Sequence, residues 1–166
     1  MTSPAQQGPL ELVDDLDLER YAGLWYEIAR LPNEFQDQCA GEVTAEYTLL
    51  EGGRIRVVNR CRTAGGEFDQ AEGRARRPDP QQPAKLKVRF APRWLSWLPF
   101  VWGDYQVMAL DPDYSRVMIG EPSRTYLWIL SRRPELPGEQ LERLLAEAAR
   151  QGFDTERVVR TRQNRH

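Results

Sequence analysis

Short runs of alternating apolar and polar residues, broken by turn signals, fill most of the chain. Trp25–Arg30 (WYEIAR), Val43–Leu50 (VTAEYTLL) and Ile55–Arg62 (IRVVNRCR) are rich in β-formers. Glu51-Gly52-Gly53-Arg54 between the last two is a turn with φ-permissive glycines, so they form a hairpin. Phe68–Arg76 is a weaker strand with Gly73 inside it, read as a bulge or bend. Lys85–Phe90 alternates strictly, with Leu86, Val88 and Phe90 on one face and Lys85, Lys87 and Arg89 on the other. Asp104–Leu110, Arg116–Gly120 and Thr125–Ser131 complete eight strands.

Helical signals are few. Asp14–Tyr21 (DDLDLERY) reads as a short turn with an acidic start. Glu139–Gln151 carries Leu141, Leu144, Leu145 and Ala148 on one stripe, and Gly152 is its expected stop. Phe153–Arg160 is a candidate for a last short strand. Residues 1–13 read as a flexible arm, 14–160 as one domain and 161–166 as a polar tail. Eight short strands with mostly short connections point to an up-and-down antiparallel β-barrel with one C-terminal helix outside it. A β-sandwich is the structural competitor. Eight strands enclose packed side chains or one small ligand.

Composition narrows the chemistry. Lys and Arg number 23 against 25 Asp and Glu, for a formal net charge of −2, so global charge gives no argument for nucleic acid. The one histidine is the terminal His166, and the two cysteines are Cys39 and Cys61. A zinc site and a Ser-His-Asp or Cys-His site therefore lack their usual residues, and no metal or cofactor is expected. No apolar run reaches membrane-spanning length, and the first residues do not read as a signal peptide.

Three local motifs then resemble those of the lipocalins. Leu18–Arg30 carries Gly23-Leu24-Trp25 at the entry to the first strand. Asp111-Pro112-Asp113-Tyr114 resembles the second motif between strands six and seven. Arg132, after Trp128–Ser131 (WILS), stands where the third has its arginine. TYLWILSR, ALDPDY and the helix followed by QGFD look most like bacterial outer-membrane lipocalins, and are similar to plant temperature-induced lipocalins and apolipoprotein D. The resemblance implies a lipid-binding barrel that catalyses nothing, at the bacterial cell envelope, with the cytoplasm left open.

Strand alternation brings the three motifs to one, closed, end. Arg132 can then stack on Trp25, a cation–π contact. Gly23, Trp25, Asp111, Tyr114 and Arg132 are read as structural. Loops 31–42, 63–68, 91–103 and 121–124 fall at the open end, and so do both cysteines. In the hairpin register Cys61 faces residues near Thr44, and a loop folding back brings Cys39 within range of it. A Cys39–Cys61 disulfide is predicted, the alternative being two free thiols in a reducing compartment.

Trp94–Trp102 (WLSWLPFVW) has three Trp and a Phe and no charge. Trp94, Leu95, Trp97, Leu98, Phe100 and Trp102 could cap the cavity, dip into a membrane interface or form a dimer contact. Parity from Trp25 points Glu27 and Ala29 into the barrel, with Tyr47, Asn59, Leu86, Val88, Phe90, Tyr105, Val107, Ala109, Tyr126, Trp128 and Leu130. Arg74 is the expected partner of the buried Glu27, either as an internal salt bridge or in contact with a ligand head. The result is an apolar tube with a few polar groups, suited to a fatty acid or lysophospholipid with its head near the open end. The competing functions are a ligand-modifying enzyme and a protein-interaction module built on the Trp-rich loop.

Overall fold

The computed structural model describes residues 8–90 and 102–163. After a helical turn, α1 (Leu18–Tyr21), eight antiparallel strands follow: β1 (Gly23–Arg30), β2 (Cys39–Leu49), β3 (Ile55–Thr63), β4 (Phe68–Arg76), β5 (Lys85–Phe90), β6 (Gly103–Leu110), β7 (Arg116–Gly120) and β8 (Leu127–Ser131). Each strand pairs with the next, and β1 pairs with both β2 and β8, which closes the sheet into a barrel. Then come α2 (Gly138–Arg150) and a short β9 (Val159–Arg160) against the end of β1.

Alternation divides the wall into two hydrophobic clusters. Inside the barrel Trp25, Tyr47, Ile55, Val57, Leu86, Tyr105, Val107 and Leu130 pack together with Tyr21. Outside it, Ile28, Met118 and Ile129 pack against Leu141 and Ala148 of α2. Asp17 caps α1 by accepting from the Glu19 and Arg20 amides. Gly152 ends α2 at φ 98°, with Gly152 N–H donating to the Ala149 carbonyl and Phe153 N–H to that of Ala148. Phe153 is thereby turned into the outer cluster.

Two bulges correct the parity count. The β1–β8 register shifts between Glu27 and Ala29, and the β6–β7 register between Val107 and Ala109. Each extra residue turns the next one over. Ala29 and Ala109, expected inside, therefore pack in the outer cluster under α2. Gly73 sits in a regular stretch of β4, without the expected bulge. It faces Phe90 across the sheet, and a Cβ there would lie 2.7 Å from the Phe90 ring and 2.5 Å from the Arg89 carbonyl. The glycine serves close approach.

Residues 8–13 and 159–163 are tied down more than their polarity suggests. Residues 8–13 lie on the barrel: Leu10 is buried, and Val13 N–H donates to the Val107 carbonyl. Beyond Tyr26↔Thr44, where the β1–β2 register ends, residues 159–163 fill the seam. Thr161 N–H donates to the Ile28 carbonyl, Glu42 N–H to that of Arg162, and the Gln163 amide to Glu27 and Val43 carbonyls.

Cys39 and Cys61 form a disulfide between β2 and β3, near the open rim, with a sequence separation of 22. A loop of this length constrains the unfolded chain by about 3 kcal/mol in the chain-entropy model. The double variant Cys39→Ser, Cys61→Ser is expected to lose about that much stability in urea unfolding under oxidising conditions. An unchanged midpoint would show that the bridge adds nothing to the fold.

Candidate ligand-binding site

The floor is built on one arginine. The Arg132 guanidinium lies 3.8 Å from the Trp25 ring centroid. Its Nη2 donates to the carbonyls of Arg20 (2.7 Å), Tyr21 (3.2 Å) and Ala22 (3.0 Å), and its Nη1 to that of Leu24 (3.0 Å). Trp25 Nε1 donates to the Tyr21 carbonyl at 2.9 Å. Gly23 has φ 106°, and a Cβ on it would come 3.2 Å from Arg132 Nη1, so both conformation and space call for glycine. Tyr114 accepts from Asp17 N–H through its hydroxyl (2.9 Å), and its ring carries the Arg20 guanidinium at 4.1 Å. Asp111 pairs with Arg116 across the same turn. The five motif residues thus hold the closed end together.

Above this floor sits a layer of tyrosines. Tyr21 and Tyr47 hydroxyls both bond to that of Tyr105, at 2.5 Å and 2.8 Å, inside the apolar core. Burial pushes the Tyr47 hydroxyl up to about 12 and raises those of Tyr21 and Tyr105. Beside them is a void of about 10 Å³, lined also by Ile55, Val57, Ala75, Leu86 and Val88. That is room for about one water. The lower barrel is therefore filled, where an open tube was expected.

The upper inner wall is different. Phe90 and Trp128 pack against the inner core yet remain only half-buried. Asn59 is half-buried on β3, opposite Ala45 and in step with the inward Ile55 and Val57. Trp128 stacks on Tyr126 at 5.8 Å and donates through Nε1 to Gln36. The Tyr126 hydroxyl donates to Glu34, which lowers that carboxyl's affinity for a proton; burial and this neighbour push Tyr126 up to about 12.

Glu27 is 1 % exposed and fully partnered. Arg30 donates to it at 2.7 Å, Gln36 at 2.9 Å, and Thr161 donates its hydroxyl. Arg74, the partner expected from sequence, is on the other side of the wall. It alternates with the buried Gly73 and Ala75 and lies 3.8 Å from Glu72. The local Arg30 displaces it because the bulge at Ile28 brings Arg30 back to the side of Glu27. Tyr21, Arg30, Gln36 and Thr161 were not singled out from sequence. Of these, Tyr21 alone had a local signal, four residues before Trp25 on the turn that enters β1.

Trp94, Leu95, Trp97, Leu98 and Phe100 lie outside the described residues. Trp102 is described, and the guanidinium groups of Arg76 and Arg89 lie over its ring at 4.5 Å and 4.9 Å.

Fold and floor together define a β-barrel closed at one end by its motif residues, with one helix outside it among the described residues. The lipocalin-like domain family matches residues 16–163, and the chain belongs to the lipocalin family. It is 42 % identical over 157 residues to temperature-induced lipocalin-1 of Arabidopsis thaliana, covering 93 % of this chain and 83 % of the relative. It is 37 % identical over 159 residues to the outer membrane lipoprotein Blc of Escherichia coli (strain K12), covering 95 % and 85 %. Insecticyanin from the tobacco hornworm Manduca sexta shares the fold at a TM-score of 0.73 and 23 % identity, over 95 % of this chain and 86 % of that one.

The tyrosine layer sets an alkaline limit. The folded hydroxyls titrate above the unfolded value of about 10, so their neutral form is favoured by folding. That contribution is complete below about pH 10 and is lost as pH rises through about 12 and above. In an alkaline titration followed by tyrosinate absorbance, Tyr21, Tyr47 and Tyr105 are expected to ionise together with unfolding. Ionisation of all six tyrosines near pH 10, with the fold intact, would contradict this layer.

Proposed function

We propose that the protein binds one lipid-like amphiphile, a fatty acid or a lysophospholipid, and stores or carries it at the bacterial cell envelope. The half-buried apolar residues of the upper inner wall carry this reading. Phe90 and Trp128 face inward but are not covered to the degree of the residues below them. An alkyl chain laid there leaves water at roughly 0.8 kcal/mol per CH₂. The tyrosine layer stops it, so the ligand occupies the upper barrel with its polar head toward the open rim.

No covalent step is needed for such a role, and the protein acts by burial alone. Both cysteines are consumed by the disulfide, which suits an oxidising compartment. The relatives named outer membrane lipoprotein Blc in Escherichia coli and Citrobacter freundii support an envelope setting.

The protein, purified under native conditions, is extracted with organic solvent and the extract analysed by mass spectrometry. Fatty acid or lysophospholipid at near one equivalent is the expected result. Phe90→Asp places a carboxylate on the upper wall and is expected to weaken fatty-acid binding more than about tenfold. An empty extract, together with no response of tryptophan emission to added fluorescent fatty acid, would remove the carrier reading.

A further inference from the structure

The outer wall of β3, β4 and β5 carries cations in register. Arg56 pairs across the sheet with Arg74, and Arg74 with Arg89, so one row on three adjacent strands is entirely arginine. Arg76 and Lys87 face each other in the next row. The inward Ala75, Leu86 and Val88 alternate with them, which places these five side chains outside. Like charges directly opposite one another destabilise a sheet. Glu72, which bonds Arg56 and stands 3.8 Å from Arg74, offsets part of this, as Asp104 does for Lys87.

The imbalance is regional. Residues 54–90 hold 10 Lys and Arg against 4 Asp and Glu, while the rest of the chain holds 13 against 21. A chain of net charge −2 therefore presents one strongly cationic side. Two aromatic rings are set into it, Phe68 at the open end of β4 and Trp102 farther down the wall. Arg76 and Arg89 lie over the Trp102 ring, and Phe68, 45 % exposed, lies 3.9 Å from the Arg60 guanidinium and 4.3 Å from that of Arg62.

We propose that this wall docks the barrel side-on against an anionic lipid surface. A convex wall with cations in rows about 4.8 Å apart brings those rows against a plane of negative headgroups along its line of contact. Tryptophan and phenylalanine beside those cations suit the interfacial layer. Single-stranded nucleic acid is instead held in a groove, which a convex barrel wall does not supply. Arginines held opposite one another on neighbouring strands are further stabilised when anionic headgroups neutralise them. Docking goes beyond the carrier reading and does not require a loaded cavity, so the two fail separately.

The full chain is sedimented at low salt with vesicles of phosphatidylcholine, with and without phosphatidylglycerol, and is separately titrated with a fluorescent fatty acid. Binding is expected only to the phosphatidylglycerol vesicles, and salt is expected to abolish it. The triple variant Arg56→Gln, Arg74→Gln, Arg89→Gln should bind them about a hundred-fold more weakly, at about fivefold per charge. Its fatty-acid binding should be unchanged and its melting temperature no lower than the wild type's. Glu72→Gln, which removes one negative charge and leaves every arginine in place, should bind the vesicles about fivefold more tightly. Equal binding to both vesicle types overturns the proposal, as does a triple variant that docks like the wild type or a Glu72→Gln variant that does not gain. Tighter binding to a single-stranded DNA oligonucleotide than to the anionic vesicles overturns it in favour of a nucleic-acid partner. Vesicle binding retained with no fatty-acid binding would leave docking in place and remove the carrier reading.

Discussion

The contact between Arg132 and Trp25 is the constraint on which the barrel depends. A guanidinium has no acceptor capacity and five N–H donors in a fixed plane. Here that plane lies on the indole while its edges meet carbonyls of α1, β1 and the β6–β7 turn. Burial works against the charge, lowering the arginine's proton affinity, but the carbonyls and the ring compensate for the lost water. One side chain thus joins the start of β1 to the end of β8, the two strands whose pairing closes the sheet. Gly23 is the space this arrangement requires.

From that floor the wall divides its labour by face. Inward residues grade from the hydrogen-bonded tyrosines to the half-buried Phe90 and Trp128 toward the rim. Outward residues serve two different ends: β1, β6, β7 and β8 present an apolar surface to α2, while β3, β4 and β5 present charge to solvent. The helix therefore shields one flank and leaves the cationic one uncovered. Both bulges fall beneath the helix, where an extra outward residue adds to its seat.

Strand alternation and turn residues made the fold legible in the sequence. The β2–β3 hairpin, strictly alternating β5 and the stripe of α2 each carry their own periodicity, and the three motifs fixed the closed end. Position within the wall was legible only as far as strict alternation held. It failed at Ala29 and Ala109, because a bulge leaves no local mark in composition. Arg74 was placed inside for want of a partner for Glu27, yet the partner was three residues away and hidden by the same bulge. The tyrosine layer was missed as a unit because its members come from α1, β2 and β6, which meet only when the barrel closes.

The seam filled by residues 159–163 has a consequence for how the chain is made. During vectorial synthesis β1 leaves the ribosome first among the strands, yet two of its partners, β8 and the segment at 159–163, follow only after most of the barrel. Its edge beyond Tyr26 stays open through translation of everything between. Such non-local pairing is slow to form and exposes strand edges meanwhile. The nascent hairpins of β2 to β7 can assemble as they emerge, but the cylinder is sealed only after residues 159–163 have emerged.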